Sequence, residues 1–477
     1  MKRGDGVQIK LALPKGALQG QTSALLEEAG FSIGDYKEGS RSYRPGCELF
    51  PGFFTKVFHE KDIAIQVAIG NYDLGICRLD WVEELLVKYH SDAVVKVQAL
   101  GYGKRNLYAV AAGGSGADSL QALKSSEESL RIVSEYPNIA ESFALAKRLR
   151  RFRIFPVWGA AGAYLPEHAE IAIMTGTSSD RLREQGMVPV ATILGGGAYL
   201  VANRNSLESK DLSRLLSALS GAEVVDTGVE EEVAGAAAGW EEELPAADKN
   251  VVCLALPDGH QQRHTVDFFK GAGIEISGYG SGKLTSRPRI DLDGVAVKVI
   301  RPQDMPLQVA NGNFDLAVTG RDWLQDHRFC FPSSPVEEVL DLGFGRVRIV
   351  AVVSRDFPAS SIDELKRLKR EPALRVASEY VNVADKYARD NHLAPYKIIP
   401  TWGATEAFLP EDADVLIENT ETGATISKHK LKIVDTLFES SACLIGNALA
   451  MRRRDKRSRI SRLIETMRGG IDARAAC

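Results

Sequence analysis

The sequence predicts an α/β protein made of two tandem copies of one two-lobed fold, with mostly parallel sheets. Three observations carry the prediction. The chain of 477 residues repeats itself at a nearly constant shift. Residues 65–81, IQVAIGNYDLGICRLDW, return at 307–323 as LQVANGNFDLAVTGRDW, identical at 9 of 17 positions. WGAAGAYLPEHAE from Trp158 returns as WGATEAFLPEDAD from Trp402 at 8 of 13, and LALPKG at Leu11 returns as LALPDG at Leu254. A shift that stays within 242 to 244 is a duplication, not a short-period solenoid. Second, strand-like and helix-like segments alternate within each copy. Third, that alternation breaks near 103–130 and 350–372, which divides each copy into two lobes around a cleft.

QIKLALP and VVCLALP, which open the two copies, are short apolar runs of strand type. QTSALLEEAG and HTVDFFKGAG read as helices, each closed by Gly. Asp304 suits the N-cap of a further helix and Pro306 its first turn. FDLAVTG and the RVRIVAVV run from Arg346 are buried strands, and LRVASEY and KIIPTW are strands around the helix VNVADKYARDNH. Asp73 and Asp315 are expected to fix strand ends through local backbone bonds. Trp158 and Trp402 are expected to pack at a hinge. The basic run from Met451 reads as a solvated closing helix. Residues 221–248 are rich in Ala, Gly and Glu and poor in large apolar residues, so they read as a linker between a first copy at 1–220 and a second at 249–477.

Composition narrows the function. Charged residues at 26% and hydrophobic residues at 44% are globular values. Lys+Arg 59 against Asp+Glu 63 gives a net charge of -4, which argues against a nucleic-acid binder working by bulk charge. The apolar runs are short and broken by Gly, so no membrane span is expected. The start passes straight into a strand-like run without a secretory signal. The six cysteines lack CxxC or paired spacing. Neither a metal site nor a disulfide framework is expected, and a cytoplasmic location is the simplest reading.

The chemistry concentrates in DVLIENTETGATI, from Asp414 to Ile426. An apolar strand runs into Glu418, then into a turn of small, hydroxyl-bearing residues and a helix. Such a turn aims backbone N–H groups into a concavity, and the helix N-terminus adds partial positive charge, a pairing suited to phosphate. Glu418 stands where it can accept hydrogen bonds from ribose hydroxyls. An ordinary strand-to-helix turn remains the bland alternative.

This pattern resembles the phosphoribosyl-pyrophosphate loop of the ATP phosphoribosyltransferase family, and ETGATI fits that loop closely. Other segments are similar to the family in the same order: LPKG at Leu13, EYPN at Glu135, RPQDMPLQVANGNFDLAVTGRDWL from Arg301, DLGFGRVRIVAV from Asp341 and GATEAFLP from Gly403. The likeness covers nearly all of both copies outside the linker, and each copy matches the short form of the family. The resemblance implies a periplasmic-binding-protein-like two-lobed fold with the active site in the cleft. It implies condensation of ATP with phosphoribosyl pyrophosphate, with Mg²⁺ on the pyrophosphate, as the first step of histidine biosynthesis. It assigns Glu418, Thr420, Glu421, Thr422, Gly423, Ala424 and Thr425 to the ribosyl donor, and Arg301, Arg321 and Glu406 to catalysis.

The copies have diverged at these positions. In the first copy Met174 stands at Glu418, Ser179 at Gly423, Asp180 at Ala424 and Gly162 at Glu406. Asp180 would point negative charge at a phosphate. The second copy carries Asp258 where the first has Lys15. A composite is the result: the copies pair like the subunits of the family's dimer, the second copy holds the donor, and the first lends Lys15, Arg41 and Arg44 as ATP-binding or crossing cations. Plain surface charge is the other reading of these cations. A further homo-oligomer and a separate regulatory subunit are compatible with this scheme. Three rivals stand beside it: a first copy that serves only as a regulatory half, a ligand-binding sensor without turnover, and an enzyme with a changed acceptor.

Overall fold

Leu11, Ala12 and Leu13 are wholly buried, as are Leu254, Ala255 and Leu256. An apolar run with no polar alternation must be covered on both faces, and each run is an inner strand of a five-stranded sheet. The computed structural model describes residues 8–40, 42–47, 52–89, 92–117, 119–222, 250–280, 285–368 and 372–475. The expected linker lies outside the described residues except for positions 221 and 222, and Arg41 lies outside them too.

Each copy builds two sheets of identical strand order. In the first lobe of the first copy, Phe53–Phe58, Ile9–Pro14, Leu74–Arg78, Ala198–Asn203 and Val94–Ala99 lie side by side. In the second copy, Val295–Ile300, Val252–Pro257, Leu316–Gly320, Ala442–Asn447 and Val336–Asp341 repeat that order. The second lobes repeat it again, with Leu130–Ser134 and Leu374–Ser378 in the second place. In every sheet four strands run one way and one runs against them. The expectation of two lobes and mostly parallel strands is met, with one reversed strand per sheet. That strand exists because the chain crosses between lobes twice. It leaves the first lobe after Ala99 and re-enters it at Ala198, whose N–H donates to Tyr102 O at 2.9 Å. Gly197 sits at the return crossing, where a Cβ would stand 2.6 Å from the Tyr102 carbonyl oxygen.

The copies pack reciprocally. The first lobe of the first copy shares one apolar core with the second lobe of the second, where Phe58 and Phe408 meet edge to face at 5.3 Å. A second shared core joins Tyr164 and Leu165 to Ile300 and Met305. Each junction carries a lysine from equivalent positions. Lys56 pairs with Asp412 at 2.6 Å and Glu411 at 2.8 Å, and Lys298 pairs with Glu167 at 2.7 Å. Asp304 makes no side-chain cap; its carboxylate accepts the Trp158 N–H of the other copy at 3.0 Å. The capping expectation fails because a long-range donor outcompetes the local one. Asp73 and Asp315 do fix strands, accepting the N–H of Lys10 and of Cys253, each at 2.8 Å. The closing helix Arg457–Ala475 is not simply solvated, since Ile460, Leu463 and Met467 are buried.

Candidate active site

The strand Val415–Thr420 delivers the loop to the mouth of the second copy's cleft. Its β-branched and apolar residues Val415, Leu416 and Ile417 are fully buried, which fixes the register of the turn at its end. Thr420 Oγ1 accepts the Gly423 N–H at 3.0 Å and closes the turn. Gly423 has φ +76, a conformation that glycine reaches without steric cost, and the helix Ala424–Lys428 begins directly after it. In the first copy the position of Gly423 is Ser179, already the first residue of the helix Ser179–Glu184.

The floor of the second cleft ties its lobes together. Asn419 Nδ2 donates to the Tyr380 hydroxyl at 2.9 Å, and that hydroxyl donates to Asp322 Oδ2 at 2.9 Å. The first copy keeps the equivalent Tyr136–Asp80 bond at 3.0 Å. Above this floor is a cavity of about 250 Å³, lined by Asp258, Arg301, Glu379, Asn419 and Glu421 among others.

Glu379 lines this cavity, and the carboxyls of Glu406 and Glu418 lie close enough to act on it and on each other electrostatically. Burial, then the charge of Glu406, pushes Glu379 up to about 7, against the Gly403 N–H that holds it down. Glu418 is raised well above the carboxylate range by burial, then by Glu379 and Glu406. Glu406 sits on the short 3-10 turn Thr405–Phe408.

The other residues singled out from the sequence are spread around the two clefts. Arg301, at the end of the strand Val295–Ile300, pairs with Asp258 at 3.3 Å. Arg321 turns from the cavity and forks onto Glu338 at 2.6 Å and Asp341 at 3.0 Å. Thr422 and Glu421 are exposed. Lys15 lines the first copy's cleft and donates to the Tyr43 hydroxyl at 3.2 Å. Arg44 does cross to the second copy, but it reaches Glu411 at 2.8 Å and the Ala407 carbonyl, not the loop. Asp180 is exposed and paired with Arg183 at 2.9 Å, so its charge is directed away from the first cleft.

The first copy's cleft is larger and of opposite character. Its cavity of about 590 Å³ is lined by Lys15, Lys61, Arg78 and Arg105, with Arg301 entering from the second copy. Among the described residues, Glu60 and Glu135 line it with negative charge. Burial, then Lys61, Arg78, Lys15 and Arg301, pushes His59 down to about 3. Sequence reading passed over Glu379 and Tyr380, although the recurrence of SEY in both copies marked them. It also passed over Lys61, Arg78 and Arg105, for which no local motif exists.

The family model described as ATP phosphoribosyltransferase matches residues 59–221 and again 301–469. The ATP phosphoribosyltransferase of Chlorobaculum parvum is 34% identical over 230 residues, 47% of this chain and 73% of that protein. The enzyme of Prosthecochloris aestuarii is 35% identical over 233 residues, 48% of this chain and 74% of that protein. Among solved structures, the ATP phosphoribosyl transferase (HisG:HisZ) complex from Thermotoga maritima aligns over 46% of this chain and 99% of that chain, at 21% identity and a TM-score of 0.38.

Proposed function

Because the chain belongs to the ATP phosphoribosyltransferase family, we propose that its reaction runs in the cleft of the second copy, with the first copy as a built-in companion. The chain is a pentosyltransferase: ATP and phosphoribosyl pyrophosphate give phosphoribosyl-ATP and pyrophosphate, the first step of histidine biosynthesis. The observation that carries the choice of copy is the turn at Gly423. Only the second copy combines a positive-φ glycine, a threonine closing the turn and an acid on the preceding strand.

In this reading the turn from Thr420 through Glu421, Thr422, Gly423, Ala424 and Thr425 receives the donor's 5′-phosphate, and Glu418 accepts from its ribose hydroxyls. Adenine N1 attacks the anomeric carbon as the bond to pyrophosphate breaks. Positive charge develops on the ribose, and a cation there favours the ionised forms of Glu379 and Glu418, which burial otherwise disfavours, so that they stabilise it together with Glu406. Arg301 offers a cation to the departing pyrophosphate, and Arg321 holds the strand Val336–Asp341 through Glu338. Among the described residues no three His, Cys, Asp or Glu side chains are placed to hold a metal ion. We read Mg²⁺ as arriving on the pyrophosphate, because this ion keeps its waters and takes few protein ligands. Bound there, it would neutralise charge on the leaving group.

The reciprocal packing supports a fused pair equivalent to the family's dimer, with Lys15 and Arg41 as the first copy's contributions, while Arg44 is taken up by Glu411 at the junction. No helix among the described residues is long and apolar enough to cross a membrane; we place the enzyme in the cytoplasm. The test is formation of phosphoribosyl-ATP by the purified single chain with Mg²⁺. Product without any other subunit is expected. Product only after a second subunit is added would favour a regulatory arrangement, and none under either condition would overturn catalysis.

A further inference from the structure

We infer that Tyr43 of the first copy is a positioning residue for the donor turn of the second: its ring seats His429, which follows the short helix that begins at that turn. The inference rests on the reading that this turn takes up phosphoribosyl pyrophosphate. The helix Ala424–Lys428 has only 5 residues. So short a helix does not hold itself in water, and its place is set by what packs against it. Ile426 is buried in the core that the second copy shares with the first lobe of the first. The second anchor is His429, whose ring centroid lies 4.9 Å from that of Tyr43 at an interplanar angle of 38°. Lys430 follows with φ +56 and donates its N–H to the Ser427 carbonyl at 3.2 Å, which ends the helix. The Ser427 N–H in turn donates to the Gly423 carbonyl at 3.0 Å. His429 is thus tied, through a single helical turn, to the glycine that shapes the donor loop.

Tyr43 is itself fixed in the first copy. It is buried, and its carbonyl accepts the Val57 N–H at 3.0 Å. Its hydroxyl accepts from the Lys15 ammonium at 3.2 Å. Burial lowers the His429 pKa; the charge of Glu406 opposes this, and Lys428, Arg44 and Lys15 add to it. A neutral imidazole therefore meets the phenol ring. The opposite junction lacks the device. By the repeat, Tyr43, Lys15 and His429 correspond to Thr285, Asp258 and Gln185. Two rings are replaced by two short polar chains, and Thr285 Oγ1 and Gln185 Oε1 are buried without a hydrogen-bond partner among the described residues. The aromatic seat stands at the junction that faces the glycine turn, and its counterpart faces the copy that has lost that turn.

Calorimetric titration of the full chain with phosphoribosyl pyrophosphate and Mg²⁺ tests the inference, with steady-state kinetics alongside. Tyr43→Leu and His429→Ala should each weaken donor binding about three- to tenfold, as loss of one aromatic pair does. KM for the donor should rise without a comparable rise in KM for ATP. The double variant should be no weaker than either single one, because both remove the same contact. Tyr43→Phe keeps the ring and should restore binding to within about twofold. Thr285→Val, at the opposite junction, should leave donor affinity unchanged. Losses that add in full in the double variant, or KM values for both substrates that rise together, would make Tyr43 a merely structural residue and overturn the inference. Gly423→Asp separates this outcome from failure of the reading beneath it. If Gly423→Asp abolishes donor binding while Tyr43→Leu and His429→Ala leave it intact, the inference fails and the second cleft stands. If Gly423→Asp leaves donor binding intact, the donor sits elsewhere and that reading falls, taking the inference with it.

Discussion

The Lys56 ammonium, wholly buried, lies 2.6 Å from the Asp412 carboxylate across the junction of the two copies. Glu411 and the Tyr72 hydroxyl complete its surroundings, with that hydroxyl donating to the same Asp412 oxygen at 3.1 Å. Burial lowers the Lys56 pKa, and the two carboxylates work against that shift. Removing one partner strands the other. Asp412→Ala should cost about 3–5 kcal/mol in unfolding free energy, whereas Lys56→Met combined with Asp412→Leu should be nearly neutral. Denaturant unfolding of the two variants checks this; equal losses would mean that packing, not charge, dominates the junction.

The Tyr380 hydroxyl joins Asn419 to Asp322, and so joins the loop strand to the helix Arg321–Cys330 of the other lobe. Tyr380→Phe keeps the ring, which stacks near Trp323 at 4.3 Å, and removes only the bonds. Leaving the Asp322 oxygen without this donor should cost about 1–3 kcal/mol. Because the tie sets the distance between lobes, KM for the ribosyl donor should rise. The equivalent Tyr136→Phe in the first copy should cost similar stability and leave that KM unchanged, which steady-state kinetics would show.

Much of this was legible because it is local. The turn after the strand needs only nearby residues to close, through the Gly423 N–H and Thr420 Oγ1. The duplication was legible at Trp158 and Trp402, whose rings meet at 6.5 Å where the copies join. What stayed hidden depends on distant partners. The substitution of Asp258 for Lys15 was visible in LPDG, but its consequence, the capture of Arg301, required two strands and both copies to be in place. Asp180 looked hostile to phosphate by alignment alone; the helix turns it outward to Arg183. Arg44 reaches the second copy at Glu411 and not at the loop, a partner that only the folded junction reveals.

Glu379 ties stability to pH. Its carboxyl is raised from 4.5 to about 7. The folded chain therefore holds this proton more tightly than the unfolded chain, so stability is greatest below about 4.5 for this group and falls as pH rises to about 7. Glu418 shifts in the same direction and adds to the slope. Glu379→Gln should give a shallower fall of melting temperature across that window and a higher value than wild type at pH 8. Parallel melting curves for the two proteins would show that Glu379 ionises normally.

The two copies are told apart by their acids. Glu418 stands on the strand that feeds the turn, beside Glu379 and Glu406, and its counterpart Met174 joins an apolar core with Tyr108 and Leu182. If the second cleft carries the reaction, Glu418→Ala removes the acceptor for the ribose hydroxyls and the carboxylate that the developing ribosyl cation calls up, and kcat should fall by roughly a hundredfold or more. Thr425→Ala should likewise abolish activity through the donor phosphate. Asp180→Ala, on an exposed helix start paired with Arg183, should leave kcat within about twofold, as surface changes away from a site do. Arg41→Ala should lower the rate if the first copy lends a crossing cation. An Asp180→Ala enzyme as crippled as Glu418→Ala would move the reaction to the first copy.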